Sequence, residues 1–443
     1  LVIACWLAFD VQYYLGDALS RTQAAQSIIF SRNPNLSVMG FVFTPLTTVL
    51  QLPLVSLTPW IPAMSSQGLA GAIISALFMA GSARELWLIA SERGVRFWYA
   101  VAVIAIFAVH PMTLLYGATG MSEAPFIYGV LWASRRLIRW TSTDGVHDLV
   151  VAGFALALAF LARYDALVMA FVVMLLLGAM TWYSRFRRQW ADRAGFAFLD
   201  MLVLGWPIGL AFITWSVSSW MSTGELLAQF TSQYGNSAIL EVYDERLVGT
   251  EALREALMRT FIMSPILPFL VPVTLFLAWK RRDLEPCFPM VMMLAVLAFQ
   301  ILTYTLGSTF GFLRFFIIAL PLTCVLLIQL FPPGVPFPTL RPGAMYRPRP
   351  LGRKPGRMLQ SLLILLFTSS VVLTTSFLDS SQWAPQEQAL KQVIPGADRG
   401  TFAEQEHRIR VLKTFSTERY IAEHLDSMEL EEGQVLTSAV QSF

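Results

Sequence analysis

Long apolar runs alternate with short polar, arginine-rich or proline-broken stretches along the whole chain. Backbone groups inside lipid must be satisfied within their own segment, so each run reads as a helix, and about 20 apolar residues cross the hydrocarbon core. The pattern predicts eleven spans: Leu1–Leu15, Ile61–Ala83, Phe97–Tyr116, Ala124–Ile138, Leu149–Ala162, Ala166–Tyr183, Phe198–Trp220, Phe261–Trp279, Phe288–Leu306, Phe312–Phe331 and Leu359–Leu378. The chain starts with Leu1 inside a short run and has no basic region ahead of it. The first span is therefore read as truncated, with the chain a fragment.

Lys and Arg placement sets the direction of the spans. One set of loops carries 19 basic residues, among them Arg84, Arg93, Arg96, Arg135, Arg136, Arg139, Arg185, Arg187, Arg188, Arg193 and the Pro332–Arg357 linker. The opposite loops, before the C-terminal tail, carry seven: Arg21, Arg32, Arg163, Arg246, Arg254, Arg259 and Arg314. The first set is expected in the cytoplasm. The same rule divides Leu149–Tyr183 into two helices around Arg163-Tyr164-Asp165, because one long helix would put two arginine clusters on opposite sides.

The outer side then holds the segment from Gly16 to about Trp60, the turn Gly117–Glu123, the tip Arg163–Asp165, the loop Met221–Thr260 and the tail Asp379–Phe443. The tail reads as the start of an extracytoplasmic α/β domain. Ile421, Leu425 and Met428 suit an amphipathic helix, and Val435–Val440 suits a strand. The expected fold class is thus an all-α polytopic transmembrane bundle of about 11 spans, residues 1–378, with outer interfacial helices and a truncated domain at 379–443.

Composition narrows the function classes. Of 443 residues 56% are hydrophobic and 14% charged, against about 25% charged in soluble domains, which excludes disorder and a disulfide scaffold. A net charge of +3 gives no argument for nucleic acid. Cys5, Cys287 and Cys324 lie far apart, and His147, His407 and His424 are scattered, so no metal-ligand pattern appears and no cofactor is indicated. The 28 Arg to 4 Lys, with abundant Ala, suit a bacterial inner-membrane protein.

Asp17 follows directly on the first span. As a cap it would open a helix running to about Arg32, with Leu19, Ala25, Ile28, Ile29 and Phe30 on its apolar face, lying in the interface. Phe41–Pro62 is apolar but broken by Pro45, Pro53, Pro59 and Pro62, which suits re-entrant or interfacial structure. An acidic residue at this position, the interfacial helix, many spans and an outer C-terminal domain together resemble the GT-C glycosyltransferases. These include protein O-mannosyltransferases, aminoarabinose transferases and arabinofuranosyltransferases. Thr119-Gly120-Met121-Ser122-Glu123-Ala124, Leu161-Ala162-Arg163-Tyr164-Asp165 and Phe312-Leu313-Arg314-Phe315-Phe316 are similar to phrases of that superfamily. The adjacent acidic pair that some of these families carry is missing, since Asp17 lies between Gly16 and Ala18.

The resemblance implies sugar transfer from a polyprenyl-phosphate donor to a glycan, lipid or protein hydroxyl on the extracytoplasmic face, with inversion. Asp17 would be the general base and Glu123 the second candidate. Arg21, Arg163, Asp165, Arg314 and His110 would contact substrate. The residue types suit the chemistry, because a hydroxyl nucleophile needs a carboxylate to take its proton and a leaving phosphate needs bidentate cations.

Each candidate also has a plainer reading. Asp17 could be only a cap, Arg21 its partner one turn on, Glu123 a helix-start acid, and Arg163 with Asp165 a local ion pair. Arg314 could anchor the interface, and His110-Pro111 could mark a kink. A transporter or flippase, or a membrane scaffold, would share the apolar spans. Convergence of Asp17, Glu123, Arg163 and Arg314 on a single outward-facing cavity with a lateral opening to lipid is what would separate an enzyme from these.

Overall fold

The computed structural model describes residues 1–184, 190–227, 247–332, 355–393, 401–413 and 415–428. Every regular element among them is helical and none is a strand. The expected strand Val435–Val440 and most of the Pro332–Arg357 linker lie outside the described residues.

The first run is a broken helix. α1 (Val2–Cys5) continues as a π-helix over Trp6–Val11, and Gln12 then adopts a left-handed conformation (φ 56°) that turns the chain out. α2 (Gly16–Phe30) follows, a helix where the sequence predicted one. Its buried face is Ala18, Arg21, Thr22, Ala25 and Ile28, so two polar residues face inward where the apolar pattern predicted none. Phe41–Pro62 is not a span. It gives α3 (Leu46–Val55), and α4 (Ala63–Ser66) follows it.

The bundle proper is α5 (Leu69–Glu92), α6 (Phe97–Val109), α7 (Pro111–Tyr116), α8 (Glu123–Thr143), α9 (Val146–Ala162), α10 (Ala166–Ser184) and α11 (Trp190–Thr223). α12 (Gly249–Met263), α13 (Leu267–Arg281), α14 (Cys287–Thr305), α15 (Ala319–Gln329) and α16 (Arg357–Phe377) complete it. Five described helices, α5, α10, α11, α14 and α16, are long and apolar enough to cross a membrane, and the bent pair α12–α13 counted as one broken span gives six.

The distance from eleven expected spans comes from interruptions that hydropathy does not register. Pro111 lacks an N–H and ends α6 at His110. Phe261–Trp279 is not one helix, because Ser264 is extended ahead of Pro265 and the two halves meet at 76°. Phe312–Phe331 begins as a 3₁₀ turn, Leu313–Phe316, before α15. Leu149–Tyr183 is two helices, broken at Arg163–Asp165 as the charge pattern required.

Small residues let the elements meet. An added Cβ on Gly129 of α8 would lie 3.0 Å from the Ala155 carbonyl and the Ala159 methyl of α9. Gly71 of α5 touches Gly120, whose φ of +76° only glycine adopts readily, and this holds the turn after α7 against the bundle.

α5 and α8 each run from one end of the bundle to the other. At one end they carry Arg93 and Arg135, and at the other they start beside Gly120 and at Glu123. Arg93 donates through Nε to the Phe331 carbonyl (3.0 Å) and through Nη2 to the Gln329 carbonyl (3.3 Å), and it pairs with Asp283 and Glu285. Arg281 donates to the Leu330 carbonyl, 2.9 Å. Arg135 pairs with Glu85 and Glu92, and Arg136 with Asp148. Of the arginines assigned to one side by the charge rule, Arg93, Arg135, Arg136 and Arg281 thus lie at one end, and Asp17, Glu123, Arg163 and Arg314 gather at the other.

Candidate functional site

The site is built from helix ends. Asp17 lies in the first turn of α2, where the helix N-terminus favours a carboxylate. It is not the cap, however. Leu15 occupies that position without a side-chain bond, and the Asp17 Oδ2 instead pairs with Arg314 Nη2 at 2.8 Å across 297 residues of chain. Arg21, one turn later, does not take the Asp17 carboxylate either. Its Nη1 donates to the Asp17 backbone carbonyl at 2.8 Å.

Met121 connects the two arginines. Arg21 Nη1 lies 3.9 Å and Arg314 Nη1 3.7 Å from its sulfur. A thioether is a weak acceptor, and two guanidiniums pointed at one sulfur are far from satisfied by it. The Nε atoms of Arg21 and Arg314 are buried without a hydrogen-bond partner among the described residues.

The second half of the cluster comes from the α8 start and the α9–α10 tip. Arg163 Nη1 pairs with Glu123 Oε1 at 2.8 Å and Nη2 with Asp165 Oδ2 at 2.8 Å. The tip is tied down by Thr44, whose hydroxyl donates to the Ala162 carbonyl (2.6 Å), and by Trp215, whose indole donates to the Tyr164 hydroxyl (3.1 Å). Phe315 joins the two halves, with Arg163 and Arg314 at 5.3 and 5.2 Å from its ring centre. Phe43 covers Arg21 at 4.6 Å and Phe312 covers Arg314 at 5.2 Å. Aromatic faces attract cations and exclude water, which strengthens each charge in the cluster.

Exposure separates the acids. The Glu123 side chain is 1% exposed and that of Asp17 37%. Burial acts to raise the Asp17 carboxyl, but Arg314 and Arg21 beside it prevail and hold it below the usual carboxylate range. Asp17 is therefore an ionised carboxylate that a solute can reach. Glu123 is a buried anchor for Arg163, with Oε2 left unpartnered.

Five of the six charged candidates thus share ion pairs or ring contacts within one cluster, and Arg21 joins them through the Asp17 carbonyl and Met121. His110 does not join. Its Nδ1 accepts from the Met112 amide (3.3 Å) as the cap of α7, and its Nε2 lies 3.2 Å from the Thr374 hydroxyl of α16. The structure places His110 apart from this cluster, as a helix cap and an interhelix tie. Met121, Phe315 and Glu387 were not singled out from the sequence. The last lies in the tail and is discussed below. Among the described residues no group of three or more His, Cys, Asp and Glu side chains is placed to hold a metal ion. The donors that dominate the site are guanidiniums, which are ligands for an anion. A narrow, mainly apolar cleft, with Leu7, Leu15 and Ala18 facing Tyr14, Gln67 and Thr119, lies beside this site, and none of the charged residues above lines it.

No protein-family model matches the chain, and no curated protein matches it in sequence.

Proposed function

We propose that this protein is a membrane glycosyltransferase of the GT-C kind, working at the end of the bundle that the arginine count assigns to the extracytoplasmic face. The donor is a sugar on a polyprenyl phosphate and the acceptor is a hydroxyl on a glycan, lipid or protein. The observation that carries this reading is the pairing of unlike groups at one place. A solvent-accessible, ionised Asp17 stands directly against Arg314, and Arg314 and Arg21 aim N–H groups at the Met121 sulfur.

In this reading a donor phosphate replaces the sulfur as acceptor for the two guanidiniums, and the apolar cleft takes the neighbouring part of its chain. The acceptor hydroxyl attacks the anomeric carbon from the opposite side. A new C–O bond forms, the bond from that carbon to the phosphate oxygen breaks, and the hydroxyl proton passes to Asp17 Oδ. The phosphate carries away the bonding electron pair, and the arginines stabilise the charge that grows on it. Arg163, held by Glu123 and Asp165 and facing Phe315 with Arg314, keeps the positive field of the site in place. Its own charge is already balanced, so it makes the smaller contribution to phosphate binding.

The test is sugar transfer by the purified protein from a panel of synthetic polyprenyl-phosphate sugars. Asp17→Asn keeps size and shape but cannot accept the proton, so turnover should fall about 10²–10⁴-fold with unchanged membrane insertion. No transfer from any donor, with substrate moved across the membrane by the reconstituted protein, would replace this reading with that of a transporter.

A further inference from the structure

The segment after α16 leaves the bundle only to return to it. Arg259 of α12 donates to the Gln382 carbonyl (3.0 Å), and the Gln382 amide donates to Glu255 (3.1 Å). Trp383 covers Arg259 at 5.4 Å. Four residues on, the Tyr13 hydroxyl donates to the Gln386 carbonyl (2.9 Å), and the Tyr116 hydroxyl donates to Glu387 Oε1 (2.5 Å). The residues expected to begin a separate soluble domain are therefore laid against the charged end of the bundle.

Glu387 has no obvious reason to be there if this segment is only packing. It is 2% exposed, and its Oε2 is buried with no hydrogen-bond partner among the described residues. Burial pushes its carboxyl up, although the Tyr116 hydroxyl and Arg314 pull the other way. Arg314 acts electrostatically on Tyr13, Tyr116 and Glu387 alike, so all three lie within reach of its charge. The other surroundings of Arg314 are Asp17, the Met121 sulfur and the Phe312 and Phe315 rings.

We propose that Glu387 is a positioning residue for Arg314, bracing through Tyr116 the wall behind the guanidinium, so that residues 379–392 complete the pocket that receives the donor phosphate. This rests on the glycosyltransferase reading above. The chemistry explains why a carboxyl side chain suits the place. The buried Tyr116 hydroxyl needs an acceptor. The Glu387 Oε1 supplies one.

The experiment is binding of farnesyl phosphate to the purified full chain in detergent, for Arg314→Ala, Glu387→Ala, Glu387→Gln, Tyr116→Phe and the double variant Arg314→Ala with Glu387→Ala. Glu387→Ala and Tyr116→Phe should each weaken binding about tenfold. Glu387→Gln, whose amide oxygen still accepts from Tyr116, should bind as the wild type does. In the double variant the Glu387→Ala loss should vanish, because its target is gone. A segment that merely packs would instead give losses that add, and additive losses overturn the proposal. So does wild-type binding in both Glu387→Ala and Tyr116→Phe while Arg314→Ala is impaired, a result that leaves the phosphate site itself standing. Unchanged binding in Arg314→Ala removes both the phosphate site and this inference.

Discussion

The two ends of the bundle use the same residue types to opposite effect. At the end that holds Arg93, four of its five N–H donors are engaged. Two carboxylates, Asp283 and Glu285, and two carbonyls, Gln329 and Phe331, receive them. The carbonyls belong to the last turn of α15 and the residues after it, which lack intrahelical partners. Arg93 is therefore a clamp across α5, the α13–α14 loop and α15. At the other end Arg314 has one carboxylate, a sulfur and an unpartnered Nε. A folded chain has no structural need for the second arrangement. Neither arginine content nor a spare donor marks a site, since Arg136 at the clamped end also keeps an unpartnered Nε; what sets Arg314 apart is the accessible carboxylate of Asp17 against it.

Removing Arg93 should break this comparison most severely. Arg93→Ala leaves Asp283 and Glu285 as buried acids without their cation and frees the α15 carbonyls, at a cost of about 3–5 kcal/mol. Thermal unfolding in detergent should occur at clearly lower temperature, while transfer per folded molecule stays unchanged. A variant that is as stable as wild type would show that the clamp is decorative.

Arg314 should behave in the reverse way. Arg314→Ala should lower transfer about 10²–10³-fold, the loss typical of removing one charge-stabilising donor, with a smaller change in stability. Arg314→Lys keeps the charge but not the planar fork, so it should fall between the two, with the loss seen in the dependence of rate on donor concentration. Donor dependence unchanged in both variants would make Arg314 an interfacial anchor and move the phosphate role to Arg163.

The smallest effect is one of pH. The Asp17 carboxyl lies below its ordinary value, so its pairing with Arg314 is fully present above the usual carboxylate range and is lost as pH falls through the lowered folded value. Transfer should hold level down to about pH 4, the ordinary carboxylate region, and decline only below it. An acid limb near pH 6 would assign the base to another group.

Part of the site was legible because it lies at helix ends. Asp17, Glu123, Arg163 and Arg314 each interrupt or border an apolar run, and a charge in that position is visible in one dimension. Their pairing was not legible. The sequence suggested Asp17 with Arg21 at one-turn spacing, yet the Asp17 carboxylate goes to Arg314, because the buried face of α2 turns Arg21 toward Met121. Glu387 gave no signal, since it lies in a polar tail with an ordinary local pattern. Only the return of that tail, hydrogen-bonded to Tyr13 and Tyr116, makes it a buried acid.

Local pattern was enough for the helical, membrane-type bundle of residues 1–378, the break at Arg163–Asp165 and the separation of two charged ends. These follow from hydropathy, charge and proline placement, which act over a few residues. The tertiary structure decided how many helices are long enough to cross, which arginine meets which acid, and which donors remain unspent. Those depend on contacts between segments far apart in the chain, such as Gly71 against Gly120 and Arg314 against Asp17. Whether a polar group is satisfied is a property of its neighbours in space, and hydropathy along the chain carries no record of them.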